Sequence, residues 1–327
     1  MTVAILSDIH YASAAEIARG KDYEFRGIHN PFARVLLKAF RHFIWLRNPL
    51  KQNDLLEAFL DQSGPVDYVV LNGDYSCDSG FVGVSDDASC QSARECLDKV
   101  RSRFGARVFA IMGDHELGKF SLVGSRGGMR RASYDRARQD LGLDGFWQLR
   151  LGRYVLMGVA SSIVALPEFV AETIPEDQGA WEELRQAHLA QIRTAFASLG
   201  PQDRVLLFCH DPTALPYLAR EKSVRERLPQ IEQTVVGHLH SNLVLWNSRL
   251  LAGMPTIGFL GQPVRRITAA LNQARDWKAF RVRLCPSLAG IQLLKDGGYY
   301  LAHLDLEANQ PVRFDFQRLA SRRRRQV

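Results

Sequence analysis

Aspartate and histidine residues recur directly after short apolar runs within the first 240 residues of this 327-residue chain. In two places the donors stand two residues apart, Asp8 with His10 and His238 with His240, so on a continuing strand each pair projects to one side. The complete donor set is Asp8, His10, Asp74, Asp114, His115, His210, His238 and His240. Carboxylate oxygens and imidazole nitrogens suit borderline divalent metals, so this pattern predicts a metal site built from distant parts of the chain.

The apolar runs before these donors are rich in β-branched residues and alternate with stretches of helical spacing. We expect strands within residues 3–8, 67–74, 107–114, 154–161, 204–211 and 233–240, and helices near 53–62, 91–103, 181–199 and 219–228. The runs are continuously apolar, which indicates sheets covered on both faces and an α/β fold. Because the carboxyl ends of parallel strands converge on one crevice, the donors are predicted to meet there. After residue 280, the segments 280–288, 290–294 and 299–306 predict closing antiparallel strands.

The donors are too many for a single cation, so we expect two. A carboxylate that is shared between two cations holds them about 3.5–4 Å apart, and Asp74 is the natural bridge because it is the only donor at the end of its strand. Gly237 allows the backbone before His238 to approach the site closely. Hydroxide held between two such cations is a nucleophile at neutral pH, and the same cations neutralise a phosphoryl group under attack. The residues therefore predict dinuclear hydrolytic chemistry.

The donor segments, in their order along the chain, resemble the five motifs of the calcineurin-like metallophosphoesterases over about residues 1–245. The matching segments are Asp8-Ile9-His10, Gly73-Asp74, Gly113-Asp114-His115-Glu116, His210 and Gly237-His238-Leu239-His240. The resemblance implies a four-layer αββα sandwich, in which helices flank two mixed sheets. It also implies a role for each donor: Asp8, His10 and His240 hold the first metal, Asp114, His210 and His238 hold the second, Asp74 bridges them, and His115 donates to the phosphate or leaving group.

Asp114 departs from the family pattern, which usually has asparagine at this position. An amide oxygen and a carboxylate oxygen both ligate hard cations, so the substitution is compatible with two metals. The extra negative charge makes a bridging hydroxide more basic, weakens phosphate binding and favours iron. Mn²⁺ is our favoured metal, with Fe and Zn as alternatives. A degenerate site that binds metals without turnover is the alternative that this residue keeps open.

The chain carries a formal net charge of +7 and has a pI near 9.3, which favours phosphate-bearing partners. No apolar run reaches the roughly 18–20 residues that span a bilayer, and the first residues lack a signal-peptide pattern. The five cysteines have no paired spacing, so we expect neither a disulfide framework nor a thiolate zinc site: Cys77, Cys90, Cys96, Cys209 and Cys285. These features predict a cytoplasmic protein, with peripheral contact to the inner face of the membrane as an option.

The domain expected from these patterns spans residues 1–316, with a basic, disordered tail over 317–327 that contains the Arg322–Arg325 run. Two inserts interrupt it, a basic amphipathic helical one at about 26–50 and an apolar and basic one at about 246–280. The helix within 31–46 either packs on the domain or contacts anionic lipid, and in both cases it overhangs the metal crevice. Arg126, Arg130 and Arg131 are candidates for gripping a second phosphate or a nucleotide, the alternative being a solvated loop.

Taken together, these features favour a dinuclear metal-dependent phosphoesterase that cleaves a phosphate ester or pyrophosphate. The favoured substrate is an amphiphilic or nucleotide-lipid phosphate at the inner membrane face, similar to the substrate of the UDP-diacylglucosamine pyrophosphohydrolases. A soluble phosphodiesterase, a nuclease and a phosphoprotein phosphatase are alternatives, although nucleic acid is the less favoured partner. A catalytically weak, metal-bearing binding module is the alternative of another class. The sequence does not fix the oligomeric state.

Overall fold

The structure is a computed structural model that describes residues 1–26, 28, 30–119, 127–259 and 262–319. Within these residues, ten strands form two five-stranded mixed sheets. The strands are β1 Thr2–Leu6, β2 Tyr68–Leu71, β3 Val108–Ala110, β4 Phe146–Leu151, β5 Tyr154–Val159, β6 Arg204–Cys209, β7 Ile231–Val236, β8 Val282–Leu284, β9 Gly298–His303 and β10 Arg313–Arg318. The six strands expected before residue 245 are all present.

The first sheet has the order β10-β9-β1-β2-β3, and the second has the order β4-β5-β6-β7-β8. In the first, β1, β2 and β3 run parallel, while β9 is antiparallel to β1 and to β10. In the second, β5 to β8 run parallel, and β4 forms an antiparallel pair with β5. The prediction for the end of the chain was therefore partly wrong: β8 is a parallel edge strand, and residues 290–294 form turns instead of a strand.

Helices occupy the connections between the strands. Their bounds are α1 Ala14–Arg19, α2 Pro31–Phe43, α3 Asn53–Gln62, α4 Asp87–Phe104, α5 Asp114–Leu117, α6 Arg131–Leu141, α7 Ser161–Val164, α8 Leu166–Phe169, α9 Gln178–Ala197, α10 Leu215–Arg220, α11 Lys222–Arg227, α12 Asn242–Leu250 and α13 Gln262–Gln273. Among the described residues, no helix has both the length and the apolar character needed to cross a bilayer.

Alternate residues of each buried strand serve different layers. In β1, Val3 and Ile5 belong to the cluster that lies between the two sheets, together with residues of β5, β6 and β7. Ala4 and Leu6 point the other way and pack with Phe59 of α3 and with side chains of α4 and α6. The outer face of the second sheet packs on α9, α10 and α11 in the same manner. Because strand residues alternate between faces, these three clusters define the αββα layers, and the expected fold class is confirmed.

The two inserts also form helices. In α2, the Asn30 side chain accepts hydrogen bonds from the backbone N–H groups of Phe32 and Ala33, and Pro31 occupies the first turn, so the helix begins where its sequence favours a start. The second insert comprises α12, α13 and the intervening loop. At the end of the chain, β10 extends to Arg318, two residues into the segment assigned to the tail, and residues 320–327 lie outside the described residues.

Candidate metal centre

The donors lie where the parallel strands of both sheets end. Asp8 and His10 follow β1, Asp74 follows β2 and Asp114 opens α5 just after β3. His210 follows β6 in the second sheet, and the segment from Gly237 to His240 follows β7. Because the sheets pack face to face, these carboxyl ends meet at one rim, as the sequence predicts.

Their ligand atoms form three overlapping groups, and within each group all atoms lie within 4.8 Å of one another. The groups are Asp74, Asp114, His210 and His238; Asp8, His10 and His240; and His10, Asp74 and His115. Asp74 and His10 each belong to two groups, so neighbouring cation positions share ligands. The first two groups are the two ligand sets that the family resemblance implies, with Asp74 placed in the second set.

Five of these ligand residues have a left-handed backbone conformation, which residues other than glycine rarely adopt. They are Asp8, His10, Asp74, His238 and His240, with φ between 50° and 61°. Gly237 permits one of these turns, since a Cβ atom there would lie 1.9 Å from Ser7 Oγ and 2.6 Å from Asp8 Oδ2. The close approach expected at Gly237 is therefore present. Strain of this kind is found at sites where function demands a fixed geometry.

Backbone carbonyls orient three of the imidazole rings. His210 Nδ1 lies 2.6 Å from the carbonyl oxygen of Asn72, and both His10 Nδ1 and His115 Nδ1 lie near that of Ser76, at 3.3 Å and 3.0 Å. A carbonyl oxygen only accepts, so each Nδ1 is the donor in its pair. The Nε2 lone pair of each ring is thereby directed into the site, which is the usual orientation of metal-binding histidines.

Burial and neighbouring charges together set the protonation of the carboxylates and imidazoles. Burial raises the pKa of Asp8 to about 7 and that of Asp74 to about 6, because a buried charge is disfavoured. Burial also opposes a charge on His210, yet the carboxylates of Asp74 and Asp8 outweigh it and hold the His210 pKa well above its usual range. Burial lowers the pKa of His10 to about 3, so this imidazole is neutral and able to bind a metal.

The donor atoms meet in a way that fits metal ions. The buried Nε2 of His210 lies 3.0 Å from Asp74 Oδ2 and 3.2 Å from Asp114 Oδ1. His10 Nε2 and His240 Nε2 face each other at 3.2 Å, and Asp8 Oδ1 is 3.3 Å from the latter. Lone pairs that converge in this way are stable only when a cation, either a proton or a metal ion, stands between them. The residues present therefore fit two divalent cations.

Glu116 has a structural role that the sequence did not reveal. Its buried carboxylate accepts hydrogen bonds from the backbone N–H groups of Asp74, Tyr75 and Gly113, at 2.8–2.9 Å. It thereby joins the ends of β2 and β3 directly below the shared carboxylate. The signal was its position inside the third motif, where it follows His115.

A cavity of about 520 Å³ opens beside the ligands and is lined by His10, Asp74, Asp114, His115, His238 and His240. His115 Nε2 lies 3.7 Å from Asp74 Oδ2, at the cavity wall. Burial, reinforced by the charge of Lys119, holds the pKa of His115 well below its usual range. Lys119 was not predicted, and it also lines the cavity. Its buried Nζ donates to the Cys77 carbonyl at 2.9 Å and lies 4.5 Å from the centre of the Phe81 ring.

The arginines proposed to grip a phosphate lie elsewhere or are not described. Arg131 pairs with Asp135 and contacts the Ala180 carbonyl. Arg130 donates to the carbonyls of residues 127–129. Neither is among the described residues that line the cavity, and Arg126 lies outside the described residues. The cationic side chains that do line it are Lys21, Arg41, Lys119 and Arg266.

The sequence model of the calcineurin-like phosphoesterase family matches residues 1–242. Among solved structures, a dimetal phosphatase from Danio rerio is similar, with a TM-score of 0.55 and 13% identity over 97% of this chain and 95% of that chain. At this identity the similarity concerns the fold alone. A purple acid phosphatase from yellow lupin (Lupinus luteus) seeds gives a TM-score of 0.36 and 11% identity over 73% of this chain and 38% of that chain. No curated protein sequence matches the chain.

The family match covers most of the chain and every donor from Asp8 to His240. The αββα layers and the two converging ligand groups agree with it. The chain therefore belongs to the calcineurin-like phosphoesterase family, and it is a phosphoester hydrolase that depends on two divalent metal ions.

Proposed function

We propose that this enzyme hydrolyses amphiphilic phosphate esters or pyrophosphates, whose apolar part enters the cavity beside the metal centre. The observation that carries this proposal is the composition of the cavity wall. Its volume of about 520 Å³ lies within the range of small-molecule sites, which is roughly 300–1,000 Å³. The metal ligands occupy one part of the wall, and side chains from both inserts make up much of the remainder.

The insert side chains in the wall are mainly apolar. The segment around α2 contributes Phe25, Ile28, Leu37, Phe40, Trp45 and Leu46, and the second insert with its flanks contributes Leu239, Val244, Ile267, Ala270, Leu271 and Trp277. Trp45 packs on a metal ligand, since its ring centre lies 4.5 Å from that of His240. A phosphate ester without an apolar group would leave this wall in contact with water. Each methylene group buried there contributes about 0.8 kcal/mol, so chain length becomes a determinant of affinity.

The ligand assignment in this proposal follows the two groups. One cation is assigned to Asp8, His10 and His240, the other to Asp114, His210 and His238, and Asp74 is shared. When bound, the two ions supply a nucleophile from water and neutralise phosphoryl charge, with Mn²⁺ as our favoured choice and Fe or Zn as alternatives.

The remaining roles fall to Lys119 and His115. Lys119 is a fixed positive charge with donors beyond the one bound to Cys77, so it is suited to a phosphate oxygen. The Nε2 lone pair of His115 points towards the cavity. A bound phosphate raises the pKa of a neighbouring imidazole, and His115 can then donate to the leaving group. This substrate class, together with cysteines that are all free and buried, supports a cytoplasmic enzyme that works at the inner face of a membrane.

The test measures hydrolysis of p-nitrophenyl alkyl phosphodiesters, with methyl to octyl chains, below their critical micelle concentrations. We expect kcat/KM to rise by up to about fourfold per methylene until the cavity is filled. Leu271→Ser should lower kcat/KM for the octyl ester more than for the methyl ester, because Leu271 lines the wall. Mn²⁺, Fe²⁺ and Zn²⁺ are compared at each chain length, and a UDP-diacylglucosamine-type pyrophosphate is assayed in parallel.

The outcomes separate the alternatives. A kcat/KM that is independent of chain length would contradict the amphiphilic substrate and leave a soluble phosphodiesterase, a nuclease or a phosphoprotein phosphatase. Metal analysis that finds two bound ions, with no hydrolysis of any ester, would favour the metal-bearing binding module.

A further inference from the structure

We propose that the outer faces of the two inserts together form a docking surface for an anionic lipid membrane. We call this surface the insert face, and it consists of Phe32, Val35, Leu36, Phe43, Leu243, Trp246 and Leu250. The proposal rests on the proposed function, because it supplies the partner from which an amphiphilic substrate reaches the cavity.

Helix α2 has one wide apolar face, of which only a part covers the cavity. Its inner side contributes Leu37 and Phe40 to the cavity wall. On the outer side, Phe32 is 85% exposed and Leu36 is 72% exposed. Phe43, which lies seven residues after Leu36, is 68% exposed. A helix that only covered a substrate cavity would not need to expose the rest of its apolar face. The outer side is a cluster of large apolar side chains in contact with water, which marks an interaction surface.

Helix α12 in the second insert repeats this arrangement. Val244 and Ser248 line the cavity from one side. Leu243, Trp246 and Leu250 are spaced as i, i+3 and i+7 along the other side, where Trp246 is 60% exposed. Two helices that are far apart in sequence therefore wall the same cavity and both present apolar side chains outward. A tryptophan at such a position suits the lipid headgroup region, because its ring is apolar and its N–H is a donor.

Charge identifies the partner as anionic. Residues 20–52 contain seven lysine or arginine residues against two acidic ones, and residues 242–280 contain five against one. These two segments together carry a net charge of +9, and the rest of the chain, with thirty basic and thirty-two acidic residues, carries −2. Exposed Arg47 and Lys51 follow α2. A basic, apolar surface is attracted to anionic headgroups and buries its side chains at their boundary with the acyl chains.

The same charge argues against a second copy of this chain as the occupant. A symmetric dimer through the insert face would place the same patch of both subunits in contact. The positive charge of each insert would then face positive charge, which opposes association at low ionic strength. An anionic lipid surface satisfies both properties of the insert face at once.

The experiment is vesicle flotation of the full chain, with phosphatidylcholine vesicles and with mixed phosphatidylcholine and phosphatidylglycerol vesicles. We expect binding to the mixed vesicles, weaker binding at high salt, and little binding to phosphatidylcholine alone. The variants F32S/L36S and W246S/L250S should each weaken binding by about tenfold or more, since both pairs lie on the insert face. Phe316→Ser is the matched control, because Phe316 is an exposed aromatic residue on β10 and should leave binding unchanged.

Four outcomes would overturn the proposal: no flotation, equal flotation without anionic lipid, an equal loss in Phe316→Ser, or loss in only one of the two paired variants. A dimer in light scattering that dissociates in F32S/L36S would assign the insert face to self-association instead. The dependence of kcat/KM on alkyl chain length, measured on the same samples, separates this proposal from the proposed function. A protein whose kcat/KM rises with chain length but which does not float with vesicles contradicts membrane docking alone.

Discussion

Replacing Glu116 by glutamine tests whether one buried carboxylate sets the backbone around the metal centre. Glu116 Oε2 accepts from the N–H groups of Asp74 at 2.9 Å and Gly113 at 2.8 Å, and Oε1 accepts from Tyr75 N–H at 2.8 Å. A glutamine can keep its oxygen on the side with two donors. Its NH₂ group then faces the N–H of Tyr75, so one donor is opposed by another.

The cost follows from these three bonds. Hydrogen bonds to a charged group contribute about 1.5–3 kcal/mol each and neutral ones about 0.5–1.5 kcal/mol. Two bonds of Glu116 become neutral and the third is lost, so Glu116→Gln should lower the free energy of unfolding by about 3–5 kcal/mol. Because Asp74 also loses its fixed backbone position, we expect weaker binding of both metal ions.

Guanidinium unfolding of the metal-stripped protein measures the first effect, and isothermal titration with Mn²⁺ measures the second. Glu16→Gln is the matched control, since Glu16 is equally buried and accepts hydrogen bonds from Ser79, Ser89 and Ser92. Serine hydroxyls can reverse their roles towards an amide, so the control should lose less stability and keep its metal affinity. The reasoning would be refuted if Glu116→Gln had the same midpoint of guanidinium unfolding as the wild type. Equal losses of metal affinity in both variants would refute it as well.

Two further substitutions test the charge of the site and a buried histidine away from it. Asp114→Asn should retain two metal ions, because an amide oxygen can replace the carboxylate oxygen, and should move the pH optimum of hydrolysis to lower pH. Metal analysis and pH–rate profiles check this, and loss of one ion would contradict it. Burial lowers the pKa of His188 from 6.5 to about 4. Because the unfolded chain therefore binds the proton more readily, the folded protein keeps its full stability above pH 6.5 and loses about 3 kcal/mol as pH falls towards 4. In His188→Leu, the unfolding midpoint should change less with pH between these values. A pH dependence equal to that of the wild type would exclude His188 as the cause.

The grouping of the candidate ligands could be predicted because each donor stands at the end of an apolar run. The end of each strand can be recognised from the residues around it, and the parallel arrangement of the strands brings these ends to one rim. The grouping of Asp74 with His210 therefore follows from the sequence pattern and the expected layers alone. Strand β4 was missed because its residues Phe146–Leu151 alternate with polar ones and lie beside β5 across a tight turn. The direction of β8 was wrong because a short run such as Val282–Leu284 carries no information on which neighbour it pairs with.

The residues that line the cavity were harder to predict than the candidate ligands. The reach of an arginine depends on which carbonyls and carboxylates surround it, and Arg131 is held by Asp135 and Ala180. Lys119 was missed because its motif does not include it, although it lies only four residues after His115. The composition of the two inserts did indicate their amphipathic character. Only the structure shows that both inserts wall the same cavity.

The segment that carries α2 leaves and rejoins the protein at neighbouring points. Ala12 N–H donates to Asn53 Oδ1 at 2.9 Å and Asn53 Nδ2 donates to the Ala12 carbonyl at 2.7 Å, so the two ends of the segment are joined two residues after His10. Lengthening a loop that is closed in this way changes its conformational entropy only slowly, and the hydrogen bonds between its two ends remain. During evolution this segment could therefore be replaced, and the substrate preference of the enzyme changed with it. The strands and the residues of the metal centre would be kept.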